Sequence, residues 1–259
     1  MNRITILGSA SGIPVPNRFN QTIHLEMDGH QYLLEASDGA AALLVRQFGR
    51  MPDIDAVFVS HMHADHIGGL GMVAQTLQLI QRKRPLPICM PEEGIRAIRN
   101  YLNAMYLAPE LMPYPLELRP LVEGTPLYSD GVIEVTAIRN LHLQQHAKTL
   151  AGRYVNKGEA YSFRIRGTDG RSIVYSGDIQ KVEELLPLIG KEGAELMILE
   201  CAHYAVDEAF SRLSDKVRRL VINHLHPKWN GDEARLLQEM RRYYTGEVRM
   251  AFDGMQIAF

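Results

Sequence analysis

Residues 60–66 read Ser-His-Met-His-Ala-Asp-His, directly after the short apolar run Asp55–Val59. That run has the character of a buried strand. In the extended chain that leaves it, alternate side chains project to one side, so His61 and His63 can converge on one cation. Asp65 and His66 fall just beyond and can turn toward a second. Neutral imidazole and carboxylate suit zinc, and also manganese or iron. Four ligands within six residues cannot complete two metal shells, so distant parts of the chain must supply the rest. A loop whose histidines merely cap or fill is the bland alternative, and so dense a set of ligand types speaks against it.

Candidates for the missing ligands stand at strand ends. His142 follows the alternating run Val132–Arg139, Asp178 ends Tyr175-Ser176-Gly177-Asp178, and His224 follows Leu220–Asn223. An α/β sheet gathers its chemistry at such ends, so these positions can converge on the first cluster. His146 and His226 compete locally with His142 and His224, and spacing alone does not choose between neighbours. His24 and His30 lie in or beside a hairpin and read as structural.

The surrounding chain reads as one α/β domain over residues 1–259. Arg3–Leu7 opens as a strand, and Thr22–Met27 and Gln31–Glu35 flank the hairpin signal Asp28-Gly29. Ala40–Phe48 and Leu70–Ile80 read as helices, as do Glu92–Tyr106, Val182–Ile189 and Glu233–Tyr244. Pro109–Pro120 reads as an irregular crossing. Later strands are expected at Pro87–Met90, Gly131–Arg139, Tyr161–Arg166, Arg171–Ser176, Leu196–Glu200, Arg219–Asn223, Glu247–Ala251 and Gln256–Ala258.

Composition narrows the function. Hydrophobic residues make up 46% and charged residues 22%, the balance of a folded globular protein. No window approaches eighteen uninterrupted apolar residues, which excludes a membrane-spanning helix. The net charge of −2 gives no basic excess for gripping a nucleic-acid backbone, so a small-molecule substrate is expected, no larger than a small nucleotide. Two cysteines are too few for a disulfide framework, and the N-terminus lacks the pattern of a secretory signal. A cytoplasmic, reduced setting is the expectation.

These residues in this order resemble the metallo-β-lactamase superfamily. The stretches Ile4–Arg18, Glu35-Ala36-Ser37-Asp38-Gly39 and Ile54–Leu70 are similar to its ribonuclease Z branch. The resemblance implies an αββα sandwich with a dinuclear metal site at the sheet edge. It implies that His61, His63 and His142 hold one metal, that Asp65, His66 and His224 hold the other, and that Asp178 bridges them. Glu35 matches an acidic position that orients ligating histidines, although an ordinary strand-end carboxylate is an equal reading. The family also implies dimers. The apolar face Leu70, Met72, Val73, Leu77 and Ile80 could serve there, with core packing the preferred reading.

The departures matter as much. The Gly- and Lys-rich arm with which ribonuclease Z holds transfer RNA has no room in Leu143–Glu159, and no His-Ser-Thr stretch lies between Glu200 and His224. Leu199-Glu200-Cys201-Ala202 stands where that branch has His-Glu-Ala-Thr. A small phosphodiester, such as a cyclic nucleotide, is therefore expected ahead of transfer-RNA 3′ processing. Two cations about 3.5–4 Å apart lower the pKa of a shared water toward about 7 and supply the attacking hydroxide. Asp65 can orient that nucleophile, and His203, Tyr204 or His226 can supply the leaving-group proton. The same chemistry would serve a lactone, thioester or amide. Iron redox chemistry is disfavoured because the family's diiron reductases present H-x-E-x-D, where this chain has His63, and carry a flavin domain. A metal-stabilised binding module is disfavoured by the apparently full ligand set.

Overall fold

The computed structural model describes residues 2–259. From the N-terminus the elements run β1 (Arg3–Gly8), β2 (Thr22–Met27), β3 (His30–Leu34), α1 (Ala40–Phe48), β4 (Ala56–Phe58), α2 (Ala64–Ile67), α3 (Leu70–Leu79), β5 (Leu86–Met90), α4 (Glu92–Ala104) and β6 (Leu116–Pro120). They continue with β7 (Pro126–Ser129), β8 (Ile133–Arg139), α5 (Gln144–Leu150), β9 (Tyr161–Gly167), β10 (Ser172–Tyr175), α6 (Leu186–Ile189), β11 (Ala194–Cys201), β12 (Val217–Leu225), α7 (Glu233–Met240), β13 (Glu247–Met250) and β14 (Met255–Ala258).

Two seven-stranded sheets result, in the orders β14-β1-β2-β3-β4-β5-β6 and β13-β12-β11-β10-β9-β8-β7. Each opens with antiparallel hairpins and then turns parallel, from β3 to β6 in the first and from β10 to β13 in the second. The first hairpin turns at Asp28-Gly29, both at positive φ, as a tight two-residue turn requires. The two halves thus share a topology without any repeat visible in the sequence.

Alternation along the strands sorts apolar side chains into three layers. Ile6, Ile23, Leu25, Phe58, Phe163, Ile165, Ile198 and Val221 fill the space between the sheets. Leu33, Val57, Val59 and Ile88 face outward onto α1, α3 and α4, while Val174, Met197, Leu199 and Ile222 face outward onto α7 and the segment around α6. The order is helix, sheet, sheet, helix. Aromatic rings bind the sheets to one another: Phe58 of the first sheet meets Tyr128 edge-on at 5.4 Å and Phe163 at 6.2 Å, and within the second sheet Phe163 stacks on its neighbour Tyr175. Such contacts add about 0.5–1.5 kcal/mol each beyond the area they bury.

Several expectations change. The stretch read as a crossing contains β6, and β7 was unread. Both are edge strands, where proline costs no ladder hydrogen bond, and Pro120 and Pro126 lie in them. Val182–Ile189 is a short 3₁₀ turn followed by α6, because Pro187 opens the second helix and cannot continue the first. α5 was not foreseen, since it buries no residue and so carries no apolar stripe. On α3, Leu70, Val73 and Leu77 are buried in the core, while Met72 and Ile80 face solvent.

The loop 9–20, which leads from β1 to β2, is pinned to the other end of the chain. The Arg18 guanidinium donates to Ser9 Oγ and the Ala251 carbonyl, each at 2.7 Å, and to Asn230 Oδ1 at 3.1 Å, and it pairs with Glu233 at 2.9 Å. Asp253 accepts from Ser9 Oγ and from the Phe19 amide, both at 2.7 Å. Arg18→Ala is expected to lower the unfolding free energy by about 1.5–3 kcal/mol, the range for hydrogen bonds to a charged group, as read by denaturant titration.

Candidate metal centre

Strands β8, β10, β11 and β12 run in one direction and end at one rim, which faces the rim where β3 and β4 end. Ser60–His63 leaves β4 in extended form. His63 caps α2, whose single turn carries Asp65 and His66. His142 lies in the turn after β8, its amide donating to Asn140 Oδ1 at 3.1 Å. Asp178 follows β10 through Gly177, at φ 54°. A side chain at Gly177 would stand 2.6 Å from the Tyr161 carbonyl and against Ser60, so only glycine lets the chain pass.

His224 does not follow its strand but lies within β12. Glu200 pairs with Asn223 and Cys201 with Leu225, which leaves His224 as the extra residue of a bulge, at φ 49°. A bulge re-aims a side chain, and here it turns the imidazole into the site. Glu35, directly after β3, is also left-handed, at φ 63°. Such conformations cost about 1–3 kcal/mol and persist only where the surroundings over-determine them.

The donor atoms fall into two sets around Asp178. Its Oδ2 lies 3.8 Å from His61 Nε2 and 3.6 Å from His142 Nε2, and His63 Nδ1 is 3.0 Å and 3.3 Å from those same nitrogens. Its Oδ1 lies 3.4 Å from both His66 Nε2 and His224 Nε2, which stand 3.5 Å and 3.3 Å from Asp65 Oδ2. Ligands about 2.0–2.1 Å from a tetrahedral ion lie about 3.4 Å apart, so both sets have the spacing of a filled shell. His66 Nε2 and Asp178 Oδ1 are buried and have no hydrogen-bond partner. Orphaned polar atoms that converge in this way fit a cation. The structure thus brings His61, His63, Asp65, His66, His142, Asp178 and His224 together.

His146 and His226 belong to neither donor set. His146 is exposed on α5, its ring 5.7 Å from that of His63. His226, expected as a proton donor, caps the turn that follows it, and its Nδ1 accepts from the Lys228 amide at 3.1 Å. His24 lies on β2, its ring tilted against that of Phe48 at 4.6 Å. The Tyr204 phenol donates to the Glu200 carbonyl and is committed there.

His203 does reach the cluster. Its ring lies 4.6 Å from that of His142 and 5.6 Å from that of His224. Its Nδ1 is held at 3.0 Å by Glu200 Oε1, a carboxylate that also accepts from the amides of Ile179 and Ala202. Sequence reasoning gave Glu200 no role, although its place three residues before His203 at a strand end was a usable signal.

Charge states follow from burial and neighbours. Burial lowers the pKa of His61 and takes His142 down to about 3, which keeps both neutral with lone pairs free for a cation. Burial opposes charge on His66 too, but Asp178 and Glu35 outweigh it and raise this histidine. Burial likewise works against Asp65, and the hydrogen bond from His224 with the charge of the His66 imidazole still holds it low. Burial opposes charge on His203, where the Glu200 hydrogen bond and charge prevail and raise it.

Behind His66 lies a buried polar chain. Glu35 Oε1 is 3.4 Å from His66 Nδ1, and the Glu35 carboxylate accepts from the Ser60 amide and, at 2.9 Å, from the Tyr175 phenol. Gln21 donates to the Tyr175 oxygen and accepts from Asn223 Nδ2 at 2.8 Å. Glu35 therefore stands where an orienting group for His66 is needed.

Compared with known proteins, residues 30–245 match the beta-lactamase superfamily domain. The chain belongs to the metallo-β-lactamase superfamily. It is a hydrolase of that superfamily, similar to ribonuclease Z. Ribonuclease Z of Methanosarcina acetivorans is 26% identical over 306 aligned positions, covering 99% of this chain and 98% of the relative. The fold is shared with the metallo-beta-lactamase fold protein YhfI of Bacillus subtilis, at TM-score 0.76 and 20% identity over 99% of this chain and 98% of that one. A diphosphatase of the PhnP family superposes at TM-score 0.72 and 16% identity, over 100% and 98%. No helix among the described residues is long and apolar enough to cross a membrane.

Metal analysis after dialysis of the loaded protein tests the ligand set. His142→Ala and His224→Ala are expected to lose bound metal, and His146→Ala and His226→Ala to keep it. Glu35→Gln is expected to weaken metal binding by about 10–100-fold, the usual effect of removing a group that orients a ligand. Gly12 adds a steric check, since a methyl there would sit 3.1 Å from Asp65 Oδ2. Gly12→Ala is expected to lower affinity as well.

Proposed function

We propose that this chain hydrolyses small phosphodiesters with two divalent cations, zinc foremost, with manganese or iron also suited to the ligands. The observation that carries the reading is Asp178, whose two oxygens face two separate donor sets. Paired cations suit in-line displacement at phosphorus, where they supply Lewis acidity and a nucleophile from water at neutral pH. Asp65, at the rim beside Gly12, is the group to orient the attacking water. Hydrolysis forms one P–O bond to the water oxygen and breaks the bond to the departing oxygen, which leaves with a proton.

His203 is assigned as the donor of that proton. Glu200 fixes Nδ1, so Nε2 is the nitrogen free to deliver it, and 35% of the side chain is open to solvent for reprotonation. His203 is preferred to His226 because its ring lies 4.6 Å from that of His142 and 5.6 Å from that of His224.

The names of two relatives, a ribonuclease and a diphosphatase, both denote hydrolysis at phosphorus and support the reading. They also favour a second one, processing of RNA. Against it, the alignment with ribonuclease Z spans more positions than this chain's 259 residues, so the relative has segments with no counterpart here. Between His142 and β9 this chain has only α5 and one short strap. Hydrolysis of a lactone, thioester or amide is the remaining alternative.

Turnover of bis(p-nitrophenyl) phosphate by zinc- or manganese-loaded protein is the deciding assay, with Asp178→Ala expected to abolish it. His203→Ala is expected to slow release of an alkyl alcohol by about 10²–10⁴-fold and release of p-nitrophenolate far less, since that anion leaves unprotonated. Faster cleavage of a precursor transfer RNA than of any small diester would install the RNA reading. Lactone or thioester turnover without diester turnover would overturn both.

A further inference from the structure

A cavity of about 190 Å³ opens beside His63, beneath α5. Its walls are Met62, Leu143, Ala147 and Leu150, with His146 and Asn156 at the rim. Glu93 lines it too, but its carboxylate is spent: Oε2 accepts from the Lys157 amide and Oε1 from the Glu159 amide at 3.2 Å. Glu159 in turn accepts from the Glu93 amide at 3.1 Å, and Lys157 Nζ donates to Glu92 at 2.9 Å. The C-terminal end of the strap 151–158 is thereby fixed onto α4. Gly158 brings it hard against α5, since a side chain there would stand 2.7 Å from Ala147 Cβ. The cavity is therefore a fixed, mostly apolar recess that opens at a metal-site histidine.

We infer that this recess holds one ring-sized apolar substituent of the substrate, the ester group retained on phosphorus. The inference rests on the phosphodiester reading and names its substrate class. An apolar cavity of about 150 Å³ holds one benzene ring, so this recess accommodates a single aromatic ring and is smaller than the sites of about 300–1,000 Å³ that take larger ligands. The side of phosphorus follows from the rings. His203 stands beside His142 and His224, whereas the recess adjoins His63 on the other side of His142. The group in the recess thus lies away from the proton donor.

Two diesters with the same leaving group isolate the effect: bis(p-nitrophenyl) phosphate and methyl p-nitrophenyl phosphate. The wild-type protein is expected to prefer the aryl diester in kcat/KM. Leu150→Trp, which fills the recess, is expected to reduce that preference by about tenfold or more, the range for loss of a hydrophobic pocket contact. Leu150→Ala is expected to reduce it less, and metal content and thermal unfolding report whether either variant is intact. A preference unchanged within about twofold in both intact variants overturns the recess while leaving the phosphodiester reading in place. If the wild-type protein hydrolyses neither diester, the phosphodiester reading fails, and calorimetry of phenylphosphonate against methylphosphonate then tests the recess. Tighter phenylphosphonate binding that Leu150→Trp abolishes supports it; equal affinities overturn it. If Leu150→Trp fails to fold, Ala147→Leu serves as the filling variant in the same assays.

Discussion

One carboxylate organises the centre. Asp178 comes from the second sheet, and its two oxygens face histidines of both sheets: His61 and His66 from beyond β4, His142 and His224 from β8 and β12. Burial alone would push its pKa up, yet the imidazoles around it hold it well below the usual carboxylate range. An uncompensated charge in that position would be severely destabilising, so the packing of the two sheets and the filling of the centre depend on one another. Tyr175, three residues before this carboxylate, crosses to the first sheet through its phenol, which donates to Glu35 Oε1 at 2.9 Å.

The two donor sets are not built alike. His61, His63 and His142 lie on ordinary backbone. In the other set, His224 is left-handed, and so is Glu35, which stands behind His66. Glu35 ends one buried chain that runs from Asn223 through Gln21 and Tyr175, and His224 directly follows the residue where that chain begins. That chain supplies the constraint that strained backbone needs in order to persist. It also couples His66, from the first sheet, to the residue just before His224, from the second.

Much of this was legible in the sequence, and the limits have physical causes. The run Ser60–His66 announced its chemistry because its ligands are neighbours and extended geometry aims them. Asp178 could be placed because the patterning before it marks a strand end, whereas spacing alone does not choose between His142 and His146. The choice between His224 and His226 could not be read, because it depends on a bulge created by pairing with β11. Edge strands β6 and β7 escaped notice because prolines mask them, and α5 because nothing on it is buried. Glu200 acts through His203, three residues on and just past the end of the same strand, and that spacing carries meaning only once His203 is known to reach the cluster.

The pairing of β1 with β14 joins Arg3–Ile6 to Met255–Ala258, and Arg18 and Asp253 fasten the loop beside Asp65 to residues 251–253. β1 therefore gains its outer neighbour only after β14 has been made. While a ribosome is still producing the middle of the chain, β1 can form its hairpin with β2, but its outer edge stays open. Gly12 cannot yet be held against Asp65 by the clasp that later fixes it. The rim beside Asp65 would thus be completed only after residues 251–258 have been made, and such long-range closure belongs to the slow class of folding events. An unpaired β1 edge is meanwhile a template for misassociation, which makes the nascent chain dependent on how long that edge waits.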